Sequence, residues 1–295
     1  MLLNEKDKIS DALKERMESK KLSQAMVSAS INGCSPATVN GIVNKKWKDD
    51  DKLVSEKMFH KIAAWLGLEK TKTWVVTESD KNLKKVGLIC SFAKEDSHSK
   101  MIVAPPGHGK SQGLRLFSER HPDVFYIECG DFWTKKTFLE KLKTTMGLPQ
   151  SLSTVPEMVE EVLQKLNTMD KPLIIIDEMD KLSTKVFPMF NYLYNNTLDR
   201  CGFVLAGAPY LRLKVEKGLL RNYQSYKELF SRVGGGFLNL NTPSPESIEA
   251  ICIANGLTDS TKITQVINFA NGDYRRVKSK VELLKLNKSN DNDNE

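Results

Sequence analysis

No stretch of this 295-residue sequence approaches the ~18 consecutive apolar residues that a membrane-spanning helix needs. The opening residues, Met1-Leu2-Leu3-Asn4-Glu5-Lys6-Asp7-Lys8, carry charge where a secretory signal would have an apolar core. A cytoplasmic protein with no membrane partner is therefore expected. Cysteine is sparse: Cys34, Cys90, Cys129, Cys201 and Cys252 are scattered, odd in number and without C-x-x-C spacing. That set argues against a disulfide framework and against structural zinc, and reads as buried thiols in a reducing compartment. There is no internal repeat.

What is present has the balance of a globular chain, 40% hydrophobic and 27% charged, long enough for two or three domains. Lysine and arginine outnumber the acidic residues 44 to 37, giving a net charge of +7. The excess suits a polyanionic partner without requiring one.

Two segments carry chemistry. The first, Met101-Ile102-Val103-Ala104-Pro105-Pro106-Gly107-His108-Gly109-Lys110-Ser111-Gln112, reads as a strand, a loop and the start of a helix. Gly107 and Gly109 let the backbone curl so that successive N–H groups point at phosphate oxygens. The helix beginning near Lys110 adds its positive end. Pro106, Gly107, His108, Gly109, Lys110, Ser111 and Gln112 are the expected phosphate cradle, with Lys110 reaching the outer phosphates and Ser111 ligating Mg²⁺. Ala104 stands where the motif has its first glycine, which is tolerable at negative φ. The second segment, Leu173-Ile174-Ile175-Ile176-Asp177-Glu178, ends a buried-strand pattern in two carboxylates. Asp177 can hold Mg²⁺, and Glu178 can orient or deprotonate an attacking water. The pair of segments predicts a site for ATP or GTP.

The chain divides into three patterned regions and a tail. Residues 1–70 read as helical, with no strand-like run. Residues 71–241 alternate apolar strands (MIVAP, VFYIEC, PLIIIDE, GFVLAGAP, GGFLNLN) with amphipathic helices. This predicts an α/β fold, a parallel sheet sandwiched by helices. Residues 242–287 read as a small helical domain, and 288–295 as a polar, disordered tail.

In the first region, Ser23 caps a short helix, Gly33 suits a turn, and Ser35 with Pro36 starts a second helix. This is a helix-turn-helix layout, whose second helix can enter the major groove. Ser35, Thr38 and Asn40 are candidate DNA contacts, with Lys45 and Lys46 as phosphate contacts beside Trp47. The same layout also serves as a protein-interaction module.

The order of these motifs, with Gly202-Phe203-Val204-Leu205-Ala206-Gly207 and Glu228-Leu229-Phe230-Ser231-Arg232-Val233, resembles the phage Mu B transposition protein family of AAA+ regulators. The resemblance covers nearly the whole chain. It implies an AAA+ core with an N-terminal helix-turn-helix domain and a C-terminal helical lid. It also implies an ATP- and Mg²⁺-dependent ATPase that binds double-stranded DNA with little sequence preference. Such proteins form homo-oligomeric helical filaments on DNA and recruit a DDE transposase. By the same resemblance Glu178 is catalytic, Arg232 is an arginine finger acting on a neighbouring subunit's ATP, and Arg275 is the lid arginine, with Arg276 an alternate by register. Ala208 departs from the family, which places Asn or Thr there. Lys135 and Lys136, and Arg212 and Lys214, are further candidate DNA contacts. A helicase-loader ATPase and a nucleotide-switched transcription regulator are the competing readings.

Overall fold

The computed structural model describes residues 3–19, 22–31, 33–48, 54–66, 68, 74–77, 80–149 and 152–292. Packing divides the chain into two units, Met1–Thr73 and Trp74–Glu295.

The described residues of the first unit form α1 (Leu3–Ser19), α2 (Gln24–Ala29), α3 (Pro36–Val43), a 3-10 turn at Lys46–Lys48, and α4 (Glu56–Leu66). Helices as short as α2 and α3 depend on their caps and their packing. Ser23 Oγ accepts the Met26 N–H at 3.2 Å, and Ser35 Oγ accepts the Thr38 N–H at 3.1 Å. Gly33 turns between the helices at φ +77°. Leu13, Val27, Val39, Ile42, Phe59 and Ile62 form the core around Trp47, whose indole N–H donates to Ser10 Oγ at 3.2 Å.

The second unit runs α5 (Lys81–Glu95), β1 (Ser99–Val103), α6 (Lys110–Arg120), β2 (Val124–Glu128), α7 (Lys135–Thr145), α8 (Val155–Asn167) and β3 (Leu173–Asp177). It continues through α9 (Phe187–Asn196), β4 (Gly202–Gly207), α10 (Pro209–Leu220), α11 (Gln224–Arg232) and β5 (Leu238–Asn239). It ends in α12 (Pro245–Ala254), α13 (Ser260–Ala270) and α14 (Tyr274–Asn292). The strands form one parallel sheet in the order β2-β3-β4-β1-β5.

The continuous apolar run of β3 has a direct cause. Ile174 and Ile176 enter a core shared with Phe138, Leu142, Val162 and Phe190, while Leu173 and Ile175 enter another with Val86, Cys90 and Leu114. A strand buried on both faces has no polar side to alternate with. Helices α12 to α14 enclose a separate small core around Ile251, Val266 and Val277, with Trp74 packed against it. The α14 helix extends through Asn292, into the segment expected to be a disordered tail, and residues 293–295 lie outside the described residues. Among the described residues, no helix is long and apolar enough to cross a membrane.

Candidate nucleotide site

Because all five strands are parallel, their carboxyl ends lie along one edge of the sheet. That edge is where open α/β sheets bind ligands. The loop after β1 and the Asp177-Glu178 pair after β3 therefore meet there, separated by β4. Gly107 and Gly109 take φ +82° and +84°, and α6 begins at once with Lys110. Ala104 stays out of the left-handed region and continues the sheet, its N–H donating to Gly207 O at 3.2 Å. The glycine departure thus leaves the backbone path unaltered.

Lys110 Nζ lies 3.2 Å from Asp177 Oδ1, and the Asp177 side chain is fully buried. Its carboxylate also accepts the Glu178 N–H at 2.8 Å and the Tyr126 hydroxyl at 3.1 Å. Burial, followed by the Asp177 charge, raises the Tyr126 pKa and keeps that phenol a donor. Glu178 is held at φ +53°, a conformation that costs a non-glycine residue ~1–2 kcal/mol. Its carboxylate is ion-paired with Lys181, whose pKa that hydrogen bond raises. Asp180 Oδ1 accepts the Ala208 N–H at 3.0 Å, so a carboxylate adjoins the position where the side chain is only a methyl.

A cavity of about 480 Å³ opens here. Its walls combine apolar Trp74, Val76, Leu83 and Ile251 with the 104–112 loop, Glu178, Asp180, Lys181, Arg275 and Lys278. That size and mixture suit a ligand with an apolar ring and a charged tail. Among the described residues no three His, Cys, Asp or Glu side chains cluster as a metal cage. Mg²⁺ takes one or two protein oxygens and completes its octahedron with water and phosphate. Asp177 and Ser111 are the groups that would hold it.

The loop is braced from outside. Tyr274 N–H donates to Gly107 O at 2.9 Å, and the Tyr274 hydroxyl donates to Asp80. Asn82 Nδ2 donates to His108 O at 3.0 Å and to Asn241 O at 2.7 Å. A Cβ on Gly107 would stand 2.0 Å from Asp273 Oδ1. The sequence reading missed these braces, along with Tyr126, Asp180 and Lys181. Asp180 had a signal, since it follows Asp177-Glu178 two residues on.

Pro106, Gly107, His108, Gly109, Lys110, Ser111, Gln112, Glu178 and Arg275 all line the cavity. Arg232, at the end of α11, does not line it. Its guanidinium donates to Asn195 Oδ1 at 2.7 Å, pairs with Glu228 at 3.1 Å and lies over the Tyr194 ring.

The expected DNA contacts are variously placed. Ser35 and Thr38 bond each other at 2.8 Å at the exposed start of α3, and Asn40 donates to Gln24 at 3.4 Å. Lys46 is exposed, whereas Lys45 turns to Asp11 at 2.8 Å and Asp7 at 3.2 Å. Lys135 and Lys136 open α7 and are exposed. Arg212 bonds Asn239 at 2.8 Å over the Phe237 ring. Lys214 turns inward, donating to the carbonyls of Asp180 and Leu182, and burial lowers its pKa.

Residues 94–215 match the family model described as an AAA domain. Among curated proteins, none matches the sequence. A solved structure of Aeropyrum pernix ORC1 in complex with DNA aligns at TM-score 0.52 and 16% identity, over 75% of this chain and 62% of that one. The chain thus spans less than two thirds of ORC1. A Walker-type ATPase of Pyrococcus abyssi aligns at TM-score 0.48 and 16% identity, covering 68% of this chain and 67% of that one. Drosophila ORC bound to DNA aligns at TM-score 0.44 and 16% identity, covering 70% and 55%. The first of these likenesses is one of fold, and the two lower scores add nothing to it.

Proposed function

We propose, from the premise that this chain carries an AAA-type P-loop ATPase domain using ATP and Mg²⁺, that it is an ATP-dependent DNA-binding ATPase. In this reading it assembles as a filament of its own copies on double-stranded DNA, with little sequence preference, in the cytoplasm. There it recruits a DDE transposase. The observation that carries DNA binding is the helical unit itself. It buries Val39 and Ile42 of α3 while leaving Ser35 at the start of that helix and Lys46 just beyond its end exposed and Thr38 partly so, an arrangement suited to a helix that reads a groove. The shared fold with ORC1, a protein solved on DNA, supports the reading. Lys45 and Lys214, engaged within their own units, are left out of the proposed interface.

Bound Mg²⁺ would supply charge neutralisation at the phosphate oxygens. The chain's own groups do the rest. The N–H groups after Gly107 and the start of α6 receive the anion, and Lys110 balances its charge. Glu178 takes the proton of the attacking water, which requires its carboxylate to leave Lys181. Asp180 places an acceptor at the edge where Ala208 offers none, able to orient the attacking water though not to donate to phosphate. Arg275, at the start of α14, brings a guanidinium into the cavity wall, so α12 to α14 act as the lid. Arg232 serves a neighbouring copy once freed from Glu228 and Asn195.

The test is a titration of full-length protein on several unrelated duplexes, at two salt concentrations, with and without ATP. Binding should require ATP, vary little with sequence, and weaken steeply with salt, because phosphate contacts dominate. Tight, ATP-independent binding to one sequence would replace this reading with a transcription regulator.

A further inference from the structure

Helix α12 ends in a fixed geometry. Asn255 is its C-cap, Gly256 follows in the left-handed region at φ +81°, and Leu257 N–H turns back to Cys252 O at 2.9 Å. Glycine takes that conformation without strain, so the turn sets where the Asn255 side chain leaves the helix. The side chain then bonds two pieces of backbone. Its Oδ1 accepts the Val75 N–H at 3.0 Å, while its Nδ2 donates to Val75 O and to Ile251 O, each at 2.8 Å. Val75 lies 180 residues away in sequence, yet one amide engages both of its backbone groups, as a neighbouring strand would. Only one orientation of the amide satisfies all three bonds, because the reverse sets oxygen against two carbonyls.

Both pieces belong to one wall of the nucleotide cavity. Trp74 and Val76 line it while Val75 between them is exposed, the alternation of an extended chain. Ile251, one helical turn before Asn255, lines the same wall from α12. Asn255 itself does not line the cavity. Residues 74–77 belong to no helix or strand, so the latch does for this segment what a ladder does for a strand. With the 104–112 loop shaped for phosphates, the apolar wall is the surface left for the base.

We propose that Asn255 is the positioning residue for the base: by latching residues 74–76 to α12 it sets the width of the apolar slot, and so fits the site to a purine over a pyrimidine. The inference rests on ATP occupying this cavity and adds the side chain that shapes its ring-binding end.

The experiment is calorimetric titration of the full chain, in Mg²⁺, with ATP and separately with CTP. Wild type should prefer ATP by roughly tenfold, because the smaller ring leaves part of the wall uncovered. Asn255→Ala should weaken ATP by about tenfold and CTP by no more than about threefold, so most of the preference goes. Asn255→Asp keeps the shape but turns a carboxylate oxygen onto two carbonyls, and should lose at least as much. Val76→Ala narrows nothing at the latch and trims the wall itself, so it should also lower the ratio with CTP little changed; it tests the slot even where an Asn255 variant fails to fold. Equal weakening of both nucleotides by the Asn255 variants would assign Asn255 to the stability of α12 to α14 and overturn the proposal. So would a wild-type ratio in Asn255→Asp or in Val76→Ala, or a wild type that binds CTP as tightly as ATP. Wild type binding neither nucleotide sinks the nucleotide site itself, a distinct outcome.

Discussion

Gly107→Ala separates two costs that a glycine can hide. Gly107 and Gly147 both lie in the left-handed region, at φ +82° and +69°. Alanine there costs ~1–2 kcal/mol in either case. At Gly147 nothing lies within 4 Å of the new Cβ, so that penalty is the whole effect. For a unit of this size it lowers Tm by roughly 2–8 °C. At Gly107 the new methyl also meets Asp273 Oδ1 at 2.0 Å. Asp273 cannot simply swing away, because the same oxygen accepts the Arg275 N–H at 2.8 Å at the start of α14. The loop must move instead, and with it the N–H groups aimed at phosphate. The assay is thermal unfolding with and without ATP and Mg²⁺. Saturation at a hundred times Kd stabilises the native state by ~2.7 kcal/mol, or roughly 5–11 °C. Wild type and Gly147→Ala should both show that shift, and Gly107→Ala should show little of it. A full ATP-induced shift in Gly107→Ala would refute the argument that the Asp273 brace sets the loop.

Further outcomes follow from the same geometry. Lys110→Ala should abolish ATP binding and leave Asp177 buried without its cation, and calorimetric titration with ATP checks the first point. Glu178→Gln should retain ATP but lose nearly all turnover in a phosphate-release assay, because an amide cannot accept the proton of water. Arg232→Ala should bind ATP as wild type does yet hydrolyse it poorly. Mixing it with Glu178→Gln should recover part of the activity, and no recovery from two folded variants would argue against action between subunits. Cys34 is half-buried while Cys90, Cys129, Cys201 and Cys252 are buried, with the Cys90 thiol pushed up to about 12. A thiol reagent should therefore modify Cys34 first, and DNA with ATP should slow that reaction if α3 lies on the duplex.

The sheet was legible because its strands are short apolar runs buried on both faces, a pattern that survives without tertiary information. The loop was legible because its chemistry is local: two glycines in left-handed conformation, then a lysine at the start of a helix. Direction of charge was not legible. Lys214 lies one residue from Val215, which faces the core, and its stem carries the ammonium under the helix to two carbonyls. Lys45 follows Asn44 out of α3 at φ +53°, and that single backbone turn aims it at α1 rather than outward. Sequence records that such residues are charged, and only the backbone decides where the charge goes.

The braces were illegible for a different reason, distance along the chain. Tyr274 and Asp80 are 194 residues apart, and nothing local in either segment signals the other. Yet Tyr274 bonds Gly107 through its backbone, Asp80 through its hydroxyl, and is followed by Arg275 in the cavity wall. Three functions thus fall on consecutive residues of one helix start, with Asp273 against the loop glycine completing the contact. A loop that shifted on taking up phosphate would carry α14 with it through these contacts. In the function proposed above, helices α12 to α14 would then respond to nucleotide through this brace as well as through Arg275.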